Sequence, residues 1–369
     1  MKCVLSHIFA SMKRNVSVLL LSMLLASCQS TKQFGIDYMV PANVGFPPQL
    51  KRIAIVNNVN DTSGNLSLPV ENTPTGTDES VKRTVHFDGI AGSVAESLAE
   101  HIAVANYFEE VLICDSALRT RDVLPRETAL TQEEVKELTE DFGADAILAL
   151  EDLWIESVNA VEFIPGQYMY CGTLDVTIRP KVNIYIPSRS TPVAIINAAD
   201  SIFWKKYGKT RTSVVPVIPA EQMAKEIIDF AGGIPVKYLM PHWETANRYI
   251  YTGGSTEMRD AAVCAGNNQW EKACKLWEQA ALSKRKRLQM YAALNMAVYN
   301  EMNDKIEDAL MWAMKAKQLA REEEKIKDGT PINYVSHYYS IASYLSELQI
   351  REGNAGILNA QMERFKEEF

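Results

Sequence analysis

Residues 51–58 read Lys51-Arg52-Ile53-Ala54-Ile55-Val56-Asn57-Asn58: a charged pair, four apolar residues in a row, then a pair of turn formers. An apolar run this short, with no polar alternation, predicts a strand covered on both faces, as parallel strands between helices are. The segments that follow supply such helices. Ile90, Val94, Leu98 and Ile102 recur at helical spacing with Ala91, Ala95 and Ala99 beside them, predicting a helix over 89–105 with one buried face. A strand over 110–114 follows, and then Thr131, with Glu134 three residues on, forms a capping box that opens a helix closing at Gly143. Ala146-Ile147-Leu148-Ala149-Leu150 is the third buried strand, so the order is β-α-β-α-β.

From Thr173 the period changes. Leu174, Val176, Ile178, Val182, Ile184 and Ile186 alternate with polar residues, the mark of half-buried strands. Ser188-Arg189-Ser190-Thr191 predicts a hairpin turn, 192–204 the return strand, and 220–230 a helix with Met223, Ile227 and Phe230 on one side. Residues 50–250 therefore read as a mixed α/β layer domain, interrupted at 60–80 by a long run of turn formers that predicts an exposed loop. Its opening half resembles the α/β domains of outer-membrane assembly lipoproteins.

Towards the amino terminus the chain turns polar and then proline-containing (Pro41, Pro47, Pro48), and 28–49 reads as a tether. Before it, Lys13 and Arg14 precede the ten-residue apolar run 16–25 and the small residues Ala26 and Ser27, a secretory signal over 1–27. Ten residues fall short of the roughly 20 that cross a bilayer. Leu25-Ala26-Ser27-Cys28 resembles the lipobox of bacterial lipoproteins, which implies that Cys28 carries the lipid anchor. Met12 offers a second start ahead of Lys13 and Arg14. Surface-displayed Bacteroidetes lipoproteins carry acidic residues just after the lipidated cysteine, whereas Gln29-Ser30-Thr31-Lys32-Gln33 has none. By that resemblance the protein is an outer-membrane lipoprotein facing the periplasm.

Beyond Gly253-Gly254 strand signals stop, and 251–369 reads as all-α. Ala261, Gly266, Trp270, Ala273, Trp277 and Ala280 return 36 residues later as Ala297, Met302, Ile306, Ala309, Ala313 and Ala316, with Asn267-Asn268 and Asn303-Asp304 as the turns. This resembles tetratricopeptide repeats. The departures are Ala261 and Ala297 at the small first-helix position, where glycine is usual, and Arg285 and Arg321 at the closing proline. A degenerate third unit is expected as a helix over 334–351, a break at Gly353-Asn354 and a last helix. In that family partner-facing residues lie on the first helix of each pair, which implies Tyr291, Leu294, Val298 and Glu301, with Met258 one unit earlier. An array of two and a half units either binds a partner there or braces the α/β domain. The whole order resembles a family of Bacteroidetes envelope lipoproteins with a carboxyl-terminal tetratricopeptide-like region.

Removing residues 1–27 takes away Lys2, Lys13 and Arg14, leaving 35 basic against 46 acidic residues, a formal charge of −11. That balance argues against nucleic acid as a partner. The one basic cluster, Lys284-Arg285-Lys286-Arg287, falls between two helices. Cys114, Cys171, Cys264 and Cys274 have no metal-ligand spacing, and the histidines form no paired-ligand pattern, so no metal or cofactor is expected. Gly208-Lys209-Thr210 lacks the glycine a phosphate loop needs, for Phe203 stands there, and no GxSxG elbow exists. Two clusters are left. Glu151-Asp152 follows the third buried strand, and His242-Trp243-Glu244 with Arg248 and Tyr249 reads either as a structural joint or as a hydrolase or carbohydrate-handling site. The reading that results is a lipid-anchored envelope protein that binds or scaffolds a protein partner and is not an enzyme.

Overall fold

Ile53, Ala54, Ile55 and Val56 are each 0% exposed, which requires cover on both sides of their strand. The computed structural model describes residues 31–59, 81–84, 90–114, 117–119, 129–215, 217–327, 329, 331 and 336–365; the signal, Cys28 and the loop over 60–80 lie outside them. In chain order the elements are β1 (Thr31–Val40), β2 (Arg52–Asn57), β3 (Val81–Thr84), α1 (Ala91–Val104), β4 (Glu110–Ile113), α2 (Gln132–Phe142), β5 (Ala146–Ile164) and β6 (Met169–Tyr185). Then come β7 (Ala194–Asn197), β8 (Asp200–Gly208), a 3-10 turn (Arg211–Val214), α3 (Ala220–Gly233), α4 (Val236–Leu239) and β9 (His242–Tyr251). The remainder is helical: α5 (Thr256–Gly266), α6 (Trp270–Ala281), α7 (Lys286–Met302), α8 (Ile306–Glu323), α9 (His337–Met362) and a closing 3-10 turn (Glu363–Phe365). The protein is mixed α+β, a sheet region followed by a helical region.

The chain divides into two units, 41–242 with the residues from 358, and 31–40 with 243–357. In the α/β unit β2 is parallel to both β4 and β5, as the β-α-β-α-β reading requires. One face of the sheet packs Ile53, Ile55, Leu148 and Ile178 against Val94, Leu98 and Ile102 of α1 and Ile227 of α3. The other packs Ala54, Val56, Ile147 and Ala149 against Val135 of α2. The capping box forms, Glu134 N donating to Thr131 Oγ1 and Thr131 N to Glu134 Oε2, and Gly143 closes the helix at φ 59°. α1 meets α3 at Gly232, where a Cβ would stand 2.4 Å from Ser97 Oγ and 2.6 Å from the Leu98 nitrogen. The residues from 358 belong here: Gln361 bonds to Ala42 and Val44, and Arg364 lies over the Tyr107 ring.

The structure departs from the sequence reading in four places. Residues 31–40, expected as tether, form β1, paired with β9, and Phe34, Ile36, Tyr38 and Val40 supply the period of two, with Gly35, Asp37 and Met39 between them. β5 does not stop at Leu150 but runs to Ile164, because Glu151 is accommodated as a bulge: the register steps from Leu150↔Val182 to Asp152↔Lys181. The return strand is two strands on one partner, β7 opposite Lys181–Ile184 and β8 opposite Tyr170–Ile178, parted at Pro180, which has no N–H to give a ladder. Finally, α9 runs through Gly353-Asn354 without a break, since a glycine inside a long helix costs only about 1 kcal/mol.

In the helical unit β1 and β9 form a two-stranded sheet and α5 to α8 pack in succession. The turns expected at Asn267-Asn268 and Asn303-Asp304 are present. Asn268 and Asp304 sit at φ 58° and 55°, the left-handed region that these side chains tolerate best after glycine. Ala261, Ala273, Ala297, Ala309, Ala313 and Trp277 are fully buried, so the 36-residue pattern marks the packed face of this unit. Lys286 and Arg287, expected in a loop, open α7, whereas Lys284 and Arg285 precede it. Cys264 and Cys274 are free and partly buried; the Cys274 thiol lies 3.5 Å from Met296 Sδ, and burial raises its pKa to about 11.

Candidate functional site: a cavity in the helical unit

β9 delivers alternate side chains to opposite sides, and Arg248 and Ile250 go inward. Arg248 meets Glu301 of α7 in a two-pronged ion pair, Nε to Oε2 and Nη2 to Oε1, both 2.9 Å. Its Nη1 donates to Glu347 of α9 at 2.7 Å, and Arg351, one turn further along α9, donates to Glu301 Oε1 at 2.5 Å. The Glu301 side chain is 0% exposed. Burial opposes the charge on Arg248, but the carboxylates of Glu301 and Glu347 outweigh it and raise the guanidinium pKa. Arg248 also stacks over Tyr344, with its guanidinium carbon 4.9 Å from the ring centre, and Arg351 over Tyr38 at 4.4 Å. Two guanidinium groups thus share one buried carboxylate, with the more exposed Glu347 and Asp304 at their outer sides.

Beside this network lies a cavity of about 570 Å³. Leu294 and Val298 of α7 give it an apolar wall, Tyr339, Ser340, Ser343 and Tyr344 of α9 another, and Asn247, Arg248 and Tyr249 of β9 the third. Tyr249 and Ser340 join their hydroxyls at 2.9 Å. Aromatic rings, small hydroxyls and charges already paired with each other make a site suited to holding a side chain or a small neutral group.

The sequence-based candidates are only partly brought together. Leu294 and Val298 line the cavity. Met258 is fully buried in the helical core, and Glu301 is enclosed by its arginines, so neither presents itself to a partner. Tyr291 stacks on Tyr251, ring centres 3.7 Å apart, so β9 occupies that part of the groove. The three side chains of the alternative site go separate ways: Arg248 into the ion-pair network, Glu244 to the Tyr38 hydroxyl at 3.1 Å, and His242 Nδ1 to the Met240 carbonyl at 3.3 Å. Sequence reasoning missed the α9 wall, because nothing in Tyr339-Ser340 or Ser343-Tyr344 says that α9 faces β9. The charge pattern Glu347 and Arg351, four apart on one helix face, was the available signal.

Glu151, singled out with Asp152, lies in the α/β unit and is 4% exposed, turned inward by the bulge. Its carboxylate accepts from Asn58 Nδ2 and from the Tyr185 hydroxyl, both at 2.6 Å, while the Tyr185 oxygen accepts from Asn183 Nδ2 and from the Leu130 amide. Burial raises the Glu151 pKa above its ordinary 4.5, against the lowering pull of these bonds, and burial pushes Tyr185 up to about 12. The folded chain therefore holds a proton on Glu151 at pH values where the unfolded chain has lost it. The stability this contributes is complete below 4.5 and is lost as pH rises through the folded-state value. Glu151→Gln, uncharged throughout, is expected to flatten that descent in urea denaturation as pH rises above 4.5. A variant curve parallel to the native one would assign the descent to another group. Among the described residues, no group of three His, Cys, Asp or Glu side chains is placed to hold a metal ion.

Fold and cavity together define a mixed α+β protein whose helical unit carries an aromatic-lined, charge-balanced cavity. Residues 50–251 match Domain of unknown function (DUF8603), more than half of the chain, and the protein belongs to that family. Residues 259–350 match Domain of unknown function (DUF6340). No curated protein matches the chain. A solved structure, the PelC dodecamer of Paraburkholderia phytofirmans, aligns with 54% of this chain and 96% of its own at 13% identity, with a TM-score of 0.19.

Proposed function

We propose that the protein is a periplasm-facing lipoprotein, anchored to the outer membrane through Cys28, that binds or scaffolds another protein of the cell envelope and is not an enzyme. The observation that carries the binding part is the cavity beside β9. Its wall on α7 is built by Leu294 and Val298, two of the positions the repeat resemblance implies, and its charges are committed to each other. An arginine held between two carboxylates has its charge spent in place, which suits recognition better than acid–base work. We read α5 to α8 as two tetratricopeptide-like pairs, supported by the buried small residues at the 36-residue repeat and by the left-handed turns at Asn268 and Asp304. The anchor rests on Leu25-Ala26-Ser27-Cys28 behind its apolar run.

One set of preparations tests both parts. Cys28→Ala is expected to leave the membrane fraction or to stay unprocessed. Ser343→Trp, which covers the cavity mouth from an exposed position, is expected to release a protein that co-purifies with the native chain while leaving thermal unfolding unchanged. A partner retained in full by folded Ser343→Trp would remove the cavity from the reading, and unchanged mass and fractionation of Cys28→Ala would remove the anchor.

A further inference from the structure

The outer end of the β5–β6 hairpin, with β8 beside it, is built unlike the rest of this acidic chain. The turn between the strands carries Tyr168, which is 83% exposed and sits at φ 51°, a conformation a bulky side chain seldom takes. Phe163 and Tyr170 are paired across the ladder with ring centres 5.1 Å apart, and Phe163 is exposed. On the neighbouring strand Tyr207 lies opposite Cys171 and Phe203 opposite Asp175, 48% and 53% exposed. In a half-buried strand the outward positions are normally polar, and here Phe203 and Tyr207 stand in them, while Phe163 and Tyr170 prolong the face of Leu174 and Val176 to the hairpin end.

Basic residues outnumber acidic ones around these rings. Lys205, Lys206, Lys209 and Arg211 fall within the eight residues 204–211, and no acidic residue occurs from Ser201 to Ala220, in a chain of 46 acids and 38 bases. Lys205, Lys206 and Lys209 are exposed. Glu162, two strands across from Tyr207, and Asp175, opposite Phe203, are the acids among the described residues of this end.

We propose that this hairpin end docks on an anionic lipid surface, a contact separate from the Cys28 anchor. Tyrosine and phenylalanine lodge at the boundary between headgroups and acyl chains, and lysines extend their apolar stems along that boundary while their ammonium groups stay with the phosphates. The geometry favours lipid over a folded protein. Phe163 and Tyr170 project from one side of the ladder, Tyr207 and Met169 from the other, and Tyr168 stands at the apex. A flat protein partner would meet one side of such an end, whereas a headgroup layer can surround both sides and the apex.

The test uses the chain from Gln29 onward, which keeps every described element and has no lipid of its own, in flotation with vesicles of phosphatidylcholine alone and of phosphatidylcholine mixed with phosphatidylglycerol. The chain is expected to float with the mixed vesicles, to be released by salt and to ignore phosphatidylcholine. Each basic group near such a surface is worth about fivefold in affinity, so Lys205→Glu/Lys206→Glu/Lys209→Glu is expected to bind at least about a hundredfold more weakly. Tyr168→Ala/Tyr207→Ala is expected to weaken binding with the charge unchanged, and far-ultraviolet circular dichroism checks that both variants fold. Equal flotation of the lysine variant overturns the proposal, as does a native chain that never floats. So does salt-sensitive self-association of unfloated protein that the lysine variant abolishes, which would assign the patch to a second copy. None of these outcomes bears on lipidation, since Cys28 is absent throughout.

Discussion

Glu301→Ala is expected to lower the unfolding free energy by about 3–5 kcal/mol, the usual cost of leaving buried charge without its partner. The substitution strands two guanidinium groups together. Arg248 loses both prongs of its pair, Arg351 loses its 2.5 Å contact, and their side chains, 8% and 12% exposed, have little water to turn to. Glu347 cannot replace the lost carboxylate, because it already holds Arg248 Nη1 from a half-exposed position. Glu347→Ala should cost less than Glu301→Ala, because Arg248 keeps both prongs of its pair with Glu301 when the half-exposed Glu347 is lost. Replacing Glu301, Arg248 and Arg351 together by leucine and methionine should recover much of the loss, since a buried network seldom stabilises more than apolar packing of equal volume. Urea denaturation of the three variants checks the order. If Glu301→Ala matched Glu347→Ala, the enclosure of the carboxylate would be wrong.

Beyond the spacing of Glu347 and Arg351, that network was not legible along the chain. Glu301 stands 53 residues from Arg248 and 50 from Arg351, and no local pattern marks residues that meet only after α7 and α9 have packed. What local physics decides was readable. The unalternated Ile53–Val56 run gave a strand buried on both faces, Thr131 and Glu134 gave the start of α2, and Asn267-Asn268 gave a turn between helices. The misses occurred where one local signal masked another. β1 hides its period of two among lysine, glutamine and aspartate, the bulge at Glu151 interrupts the alternation of β5, and Gly353 looks like a stop to a helix that tertiary packing carries through. Of the candidate site, the α7 wall came from a repeat register, while the β9 and α9 walls depend on which strand the helices enclose.

That strand is the subject of the second large effect. Asn295→Ala is expected to cost about 2–6 kcal/mol, because the Asn295 amide grips β9 by both backbone groups of one residue. Tyr251 N donates to Asn295 Oδ1 and Asn295 Nδ2 donates to the Tyr251 carbonyl, each at 2.8 Å, with both residues buried. Alanine leaves an amide hydrogen and a carbonyl oxygen together without partners, at about 1–3 kcal/mol for each. Other contacts of Tyr251 keep the strand from leaving outright, among them the stack on Tyr291 and the 2.6 Å bond to His337 Nδ1. Hydrogen exchange should therefore show the Tyr251 amide losing protection while the amides of α6 and α8 keep theirs; uniform loss would mean that the helices themselves had opened. An external extended segment could use Asn295 only by displacing β9, so Asn295→Ala is expected to loosen the strand and leave a cavity-bound partner in place. Loss of that partner from an otherwise folded Asn295→Ala protein would make β9 part of the recognition surface.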